Sequence, residues 1–212
     1  MSRCSMTGRR TTSYAVLGLL SVQSWTTYEL AKQVQRSLNW FWPRAERKLY
    51  DEPKWLVEQG LATASKQMTG QRPKTVYSIS PAGRAALREW LGDPAAPRAL
   101  EFEAMIKVFF ADSGTREQLL TTLERIELEA TERLELLAEF ASVRPLKFPD
   151  RAHLSALALR LQVEQEEAVH RWATWAQQQV SEWTSTTDPG TWDSDNVLAQ
   201  LAAPRPDPAT CP

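Results

Sequence analysis

Apolar positions along the first ninety residues change rhythm twice. From Thr12 to Ser21, Tyr14, Val16, Leu17, Leu19 and Leu20 run nearly all round, which predicts a short buried helix. Thr26-Thr-Tyr-Glu29 reads as a capping box, the glutamate returning to the backbone N–H of the capping threonine. It opens a helix over Thr27–Asn39 with Leu30, Val34 and Leu38 on one face. An aromatic turn, Trp40-Phe41-Trp42, leads to a second helix opening at Pro43, whose missing N–H would be unpaired at a first helical position. Leu49, Pro53 and Leu56 continue an inward stripe; Pro53 should kink this helix, and Gly60 can end it in the left-handed conformation. Short β-type runs follow at Leu61–Ser65 and Thr75–Ile79, around a turn containing Gly70 and Pro73. Ser80-Pro81 caps a helix over Pro81–Trp90, and the glycine- and proline-rich stretch 92–97 breaks the pattern.

Beyond the break the signals are helical. Glu101–Phe110 is short and strongly apolar. From Thr115 to Ala141, Leu119, Leu123, Ile126, Ala130, Leu134 and Leu137 recur at three- and four-residue steps, a coiled-coil-like stripe. Pro145 and Pro149 bracket a connector. A long helix from about Asp150 to Trp183 carries Leu154, Leu157, Leu161, Ala168, Trp172 and Trp175 along one side.

These elements predict a mainly α fold in two parts. Residues 12–91 form a winged helix-turn-helix with a two-stranded wing, and residues 98–183 a helical domain for dimerisation and effector binding. Residues 1–11 and 184–212 read as flexible tails, although Trp192, Val197 and Leu198 could dock. The charge supports the division. Residues 1–90 hold 14 Lys and Arg against 6 Asp and Glu, a net of +8; residues 91–212 hold 11 against 20, a net of −9. A chain with a formal net charge of −1 therefore conceals a basic half suited to a polyanion.

Other classes fare poorly. Two cysteines, Cys4 and Cys211, and two histidines, His153 and His170, make no metal-ligand spacing and no disulfide framework. Arg9-Arg10 before an apolar run is superficially like a twin-arginine export signal, but the run is short and no small-residue cleavage site follows. No stretch reaches the roughly 18 apolar residues of a membrane span. No catalytic constellation is defensible, so neither an enzyme nor a cofactor is expected, and a reducing cytoplasm fits.

The candidate chemistry lies in the basic half. Arg44, Arg47 and Lys48 fall within about two turns of the helix opening at Pro43, close enough to reach phosphates and base edges of a groove. On an isolated helix the same residues would be a solvated face paired with Glu46, Asp51 and Glu52. Lys66, Arg72 and Lys74 surround the hairpin tip with no acidic residue between Lys66 and Lys74, which suits phosphate contact with strong salt dependence. The alternative is a soluble turn that discourages edge pairing. The Trp40-Phe41-Trp42 knot can wedge two helices apart or stack on bases, and Tyr50 can pack or meet a phosphate. In the acidic half, Leu119, Leu123, Ile126, Leu134, Trp172 and Trp175 are the expected dimerisation surface. Trp90, Phe109 and Trp172 are the expected contacts for a flat apolar effector, the alternative for aromatic residues at helical spacing being ordinary core or dimer interface.

Together these residues resemble a known family. Tyr14-Ala-Val-Leu-Gly-Leu-Leu20, Thr27-Tyr-Glu-Leu30, Phe41-Trp-Pro-Arg-Ala-Glu46, Leu49-Tyr50, Glu52-Pro-Lys54, Gly60-Leu61, Val76-Tyr-Ser-Ile79 and Pro81-Ala-Gly83 are similar to the PadR family of transcriptional regulators. The resemblance implies a homodimeric winged-helix regulator, usually a repressor on palindromic double-stranded DNA, relieved by a small hydrophobic or aromatic effector. It places Arg44, Arg47 and Lys48 on the recognition helix, Arg72 and Lys74 on the wing, and Tyr50 at a phosphate. Phe41-Trp-Pro43 stands where many members begin that helix with Gly-Ser. The rival reading is a winged helix that contacts proteins and not DNA.

Overall fold

The computed structural model describes residues 7–39, 50–69, 72–143 and 145–203. The chain divides into two compact units, Met1–Arg98 and Ala99–Pro212. The first is built on α1 (Thr7–Val22), whose Val16, Leu17 and Leu20 are buried. This helix starts inside the segment expected to be a loose arm. Once Val16 and Leu17 are fixed in a core, extending a helix backwards adds a hydrogen bond for each residue ordered.

The capping box forms as read. In α2 (Thr27–Ser37) the Thr26 backbone N–H donates to Glu29 Oε2 at 2.8 Å, and Glu29 N–H donates to Thr26 Oγ1 at 3.2 Å. Leu30, Ala31 and Val34 face inward. Just before it, β1 (Trp25–Thr26) pairs with Tyr77 and Val76, an element too short to leave a periodicity. The Trp25 indole N–H also donates to the Leu19 carbonyl at 2.9 Å, tying strand to α1.

Pro53 does not kink a long helix. Tyr50 and Asp51 are turn residues, and α3 (Glu52–Glu58) opens there with Pro53 in its first turn. A proline in that position gives up no intrahelical bond, whereas the interior position expected from the stripe would cost one. Glu52 is buried and accepts a hydrogen bond from the Ser13 hydroxyl of α1. At the far end Gly60 adopts φ +72°, with Gly60 N–H to Val57 O at 2.9 Å and Leu61 N–H to Leu56 O at 2.8 Å, a complete Schellman motif.

The sheet has the order β1-β3-β2 and is antiparallel throughout. Its strands β2 (Ala62–Thr69) and β3 (Arg72–Ile79) run further than their apolar cores indicated. Ser80 joins sheet to α4 (Pro81–Gly92): its Oγ donates to Gly60 O at 2.7 Å and accepts from Gly83 N–H at 3.0 Å. Gly83 is required at that junction, since a Cβ there would lie 2.0 Å from the Leu61 carbonyl oxygen.

The second unit holds α5 (Glu103–Phe109), a 3₁₀ turn (Ala111–Ser113), α6 (Arg116–Ser142), a second 3₁₀ turn (Pro149–Arg151), α7 (Ala152–Ser181) and α8 (Ser194–Ala202). Helices α6 and α7 form an antiparallel hairpin whose core joins Leu119, Leu123 and Ile126 to Ala173, Ala176 and Val180. Further along, the seam turns polar. Glu127 accepts from Thr174 Oγ1 at 2.6 Å and Gln177 Nε2 at 2.7 Å, with His170 Nε2 at 3.7 Å, and Arg133 meets Glu166 at 2.6 Å.

The expected loose tail is folded for much of its length. The Trp192 indole N–H donates to Gln179 Oε1 at 3.0 Å, its ring lies 5.3 Å from that of Trp183, and Asp193 caps α8. Its Thr, Asp and Pro content suggested disorder, but two indoles and a cap outweigh composition. Among the described residues no helix is long and apolar enough to cross a membrane.

The donors around Glu127, Thr174 first and then Gln177, hold its carboxyl below the ordinary range. A carboxyl lowered by folding stabilises at pH above its unfolded pKa, and that contribution is lost as pH falls through the lowered value. Thr174→Val should therefore lower stability by about 1 kcal/mol at neutral pH. The deficit should shrink in acid, as followed by denaturant unfolding from pH 7 to pH 3.

Candidate nucleic-acid interface

The wing is a longer ribbon than a simple loop. Register places Lys66 opposite Thr75, Gln67 opposite Lys74, Met68 opposite Pro73 and Thr69 opposite Arg72. Lys66, Arg72 and Lys74 are therefore strand positions, and only residues 70 and 71 lie between the strands. Directly opposed residues share a face and neighbours alternate, so Lys66 and Lys74 stand on opposite faces of the ribbon. Lys66 is exposed and Lys74 half-buried. Pro73 is tolerated because β1 reaches only to Val76, leaving β3 an open edge beyond it. Met68 is exposed beside these cations.

Tyr50 sits in the turn before α3 with 54% of its surface exposed, free to touch a ligand. Arg44, Arg47 and Lys48, with the Trp40-Phe41-Trp42 knot, lie outside the described residues, as does the Arg72 side chain. The outer face of α2 adds two candidates that the sequence reading passed over. Tyr28 is exposed, and Lys32 Nζ stands 6.0 Å from the centroid of its ring. Tyrosine and lysine four residues apart, on the face opposite Leu30 and Val34, were the available signal. In a helix-turn-helix the first helix crosses the nucleic-acid backbone, where such a pair suits a phosphate.

The comparisons fit this geometry. Residues 16–89 match the transcriptional regulator PadR-like family, and residues 102–181 match the virulence activator alpha C-terminal family. Residues 16–89 are therefore a PadR-like family domain. It is 25% identical over 164 residues to the negative transcriptional regulator PadR of Bacillus subtilis, covering 73% of this chain and 90% of that one. The crystal structure of Bacillus subtilis PadR in complex with operator DNA superposes with a TM-score of 0.69 at 24% identity, over 79% of this chain and 98% of the other. Its complex with p-coumaric acid gives a TM-score of 0.63 at 25% identity, over 85% and 99%. These are regulators and not enzymes, and this PadR-like chain is a transcriptional regulator.

The helical unit of the regulator distributes its expected residues differently from the sequence reading. Leu119, Leu123 and Ile126 are 5%, 1% and 2% exposed inside the hairpin of one chain, and Leu134 is half-buried. Side chains already buried there have no surface left for a second copy. The outward positions are instead Leu154, Leu157 and Leu161 of α7, with Trp175 beyond them. Two apolar stripes run along α7, and periodicity cannot say which is the core. The small Ala173 and Ala176 go inward because they let the leucines of α6 approach closely.

The expected effector residues are divided as well. Trp90 stacks on Tyr14 at 4.7 Å and 8° within the first unit. Trp172 packs on the helical core, whereas Phe109 is largely exposed and meets Phe110 edge-on at 5.1 Å. An open groove of about 590 Å³ lies beside that pair, lined by Lys107, Phe110, Ala111, Gly114 and Leu119 among others.

The wing cations yield a direct test. Lys66→Ala with Lys74→Ala should weaken binding to every duplex and reduce the log–log salt slope by up to about two. Binding titrations between roughly 50 and 200 mM salt span the range in which such a change is readily resolved. An unchanged slope would remove the wing from the interface.

Proposed function

We propose that this PadR-like regulator is a cytoplasmic homodimeric repressor that binds a palindromic operator and is released by a small aromatic or hydrophobic effector. The observation that carries the reading is a basic N-terminal half, net +8 over residues 1–90 and containing the winged helix-turn-helix, joined in sequence to an acidic helical unit with an uncovered leucine stripe. Within the module, Arg44, Arg47 and Lys48 read base edges and phosphates. Tyr50 and the α2 pair Tyr28 and Lys32 anchor the backbone, and Lys66, Arg72 and Lys74 hold the flanking groove. The name of the Bacillus subtilis relative, a negative regulator, supports repression.

Dimerisation gives the module its specificity. Two recognition segments bind half-sites about 34–36 Å apart, so each copy gains from the other's engagement. The α7 face of Leu154, Leu157, Leu161 and Trp175 is the surface for the second copy, in place of Leu119, Leu123 and Ile126. Leu157 is 72% exposed, so replacing it should disturb assembly and leave each chain folded. Sedimentation of the full-length protein at micromolar concentration should give about twice the chain mass, and Leu157→Asp about one chain mass. A wild-type monomer would overturn the dimer. Recovery of bound genomic fragments by the wild type tests operator specificity, and recovery of proteins but no DNA would favour the interaction-module reading.

The groove beside Phe109 and Phe110 is the effector site, with Phe110 against an aromatic ring and Lys107 near an acid group. The p-coumaric acid complex of the Bacillus subtilis protein supports that ligand class. An effector dissociates the complex only by preferring the DNA-free geometry. Coupling of 1–3 kcal/mol would lower operator affinity by about 5–150-fold. Adding p-coumaric acid and related aromatic acids should produce such a shift, and Phe110→Ser should abolish it. Unaltered operator affinity across the series would remove the effector from the proposal.

A further inference from the structure

We propose that residues 183–202 form a C-terminal strap that holds α5 in place on the α6–α7 hairpin and thereby controls the joint through which the helical unit follows the DNA-binding unit in sequence. The starting point is how little holds α5 by itself. It has seven residues, two turns, and none of them is buried. An isolated helix of that length is not stable in water. Its attachment rests on Phe102, Ala104, Val108 and the adjoining Ala111, which pack half-buried on the cluster that includes Leu119, Leu123, Ala173 and Val180.

The strap reaches that same cluster. Trp183 packs against it, so strap and α5 share one apolar patch. Trp192 lies on Trp183 and donates to Gln179 Oε1. Two further ties reach the corner between α5 and α6. Thr186 Oγ1 donates to the Gly114 carbonyl at 3.1 Å, and Arg116 Nη1 donates to the Ser181 and Trp183 carbonyls at 3.1 and 2.9 Å. Gly114 and Arg116 flank the cap of α6, so the corner on which α5 pivots is stapled to the end of α7. Gly190, at φ +65°, turns the chain back so that Trp192 can reach Gln179. The match to the virulence activator C-terminal family ends at residue 181, so the strap lies beyond the matched segment.

The joint residues 93–101 lead directly into α5. With the strap docked α5 is fixed; with the strap lifted it keeps only the half-buried contacts of Phe102, Ala104, Val108 and the adjoining Ala111 among the described residues. Strap docking is thus a two-position device acting on that joint, and its influence on operator affinity rests on the DNA-binding reading above.

The test compares the full-length protein with Thr186→Val/Trp192→Ala, and with the milder Trp192→Phe, which keeps a ring and removes the indole donor. Amide hydrogen exchange is read at 104–110 in α5 and at 119–130 in α6. Exchange in α5 should accelerate by about tenfold or more in the double variant, and less in Trp192→Phe, with α6 unchanged. Unchanged α5 protection, or an equal acceleration of both segments, would overturn the strap, the latter making it an ordinary part of the core. Operator affinity is measured on the same samples. Altered α5 exchange with unaltered operator affinity would overturn the control of the joint. If no sample binds duplex DNA, the DNA reading fails while the exchange result still decides the strap.

Discussion

Burial of α1 is the constraint on which the first unit depends. Val16, Leu17 and Leu20 are 2% exposed or less, and three neighbouring elements are referred to this helix by different interactions. Trp25 donates to its Leu19 carbonyl, Glu52 accepts from its Ser13 hydroxyl, and Trp90 stacks on its Tyr14. Apolar burial is non-directional and fixes only that the surfaces meet. The polar bonds and the stack set how they meet. The buried Glu52 carboxylate is costly unless hydrogen-bonded, so its bond to Ser13 restricts α3 to one placement on α1.

The helical unit solves a different problem, because a two-helix seam must bury leucines while leaving another stripe uncovered. It does so by grading the seam. At one end the leucines of α6 meet alanines of α7; in the middle Glu127, Thr174, Gln177, His170, Arg133 and Glu166 exchange hydrogen bonds and ion pairs. Polar contacts cannot slide as apolar ones can, since moving one helix by a turn would leave the carboxylates unpaired. The register of the hairpin is thereby fixed, and with it the alignment of Leu154, Leu157 and Leu161 on the outer face.

Much of the winged module was legible in the sequence. Thr26 and Glu29, three residues apart, form a capping box, Gly60 takes its left-handed conformation, and Ser80-Pro81 starts a helix, all because capping and turn chemistry is local. The charge division and the family motifs were legible for the same reason, and they carried the family assignment. What the sequence misplaced was non-local. Pro53 was put inside a helix because its stripe continues in phase, and β1 went unseen because two residues acquire strand geometry only from Val76 and Tyr77. The wing ran longer than its apolar residues implied because ladder bonds between β2 and β3 extend past them.

Sequence alone therefore determined most of the elements and their caps, the basic and acidic halves and the kind of protein this is. Those follow from side-chain periodicity, backbone preference and charge, each a property of neighbours along the chain. Tertiary structure decided which of the two stripes on α7 is core, on which faces of the wing Lys66 and Lys74 stand, and that the tail docks through Trp183 and Trp192. Each of those depends on a surface supplied by a distant segment, and a short-range pattern carries no record of what will pack against it.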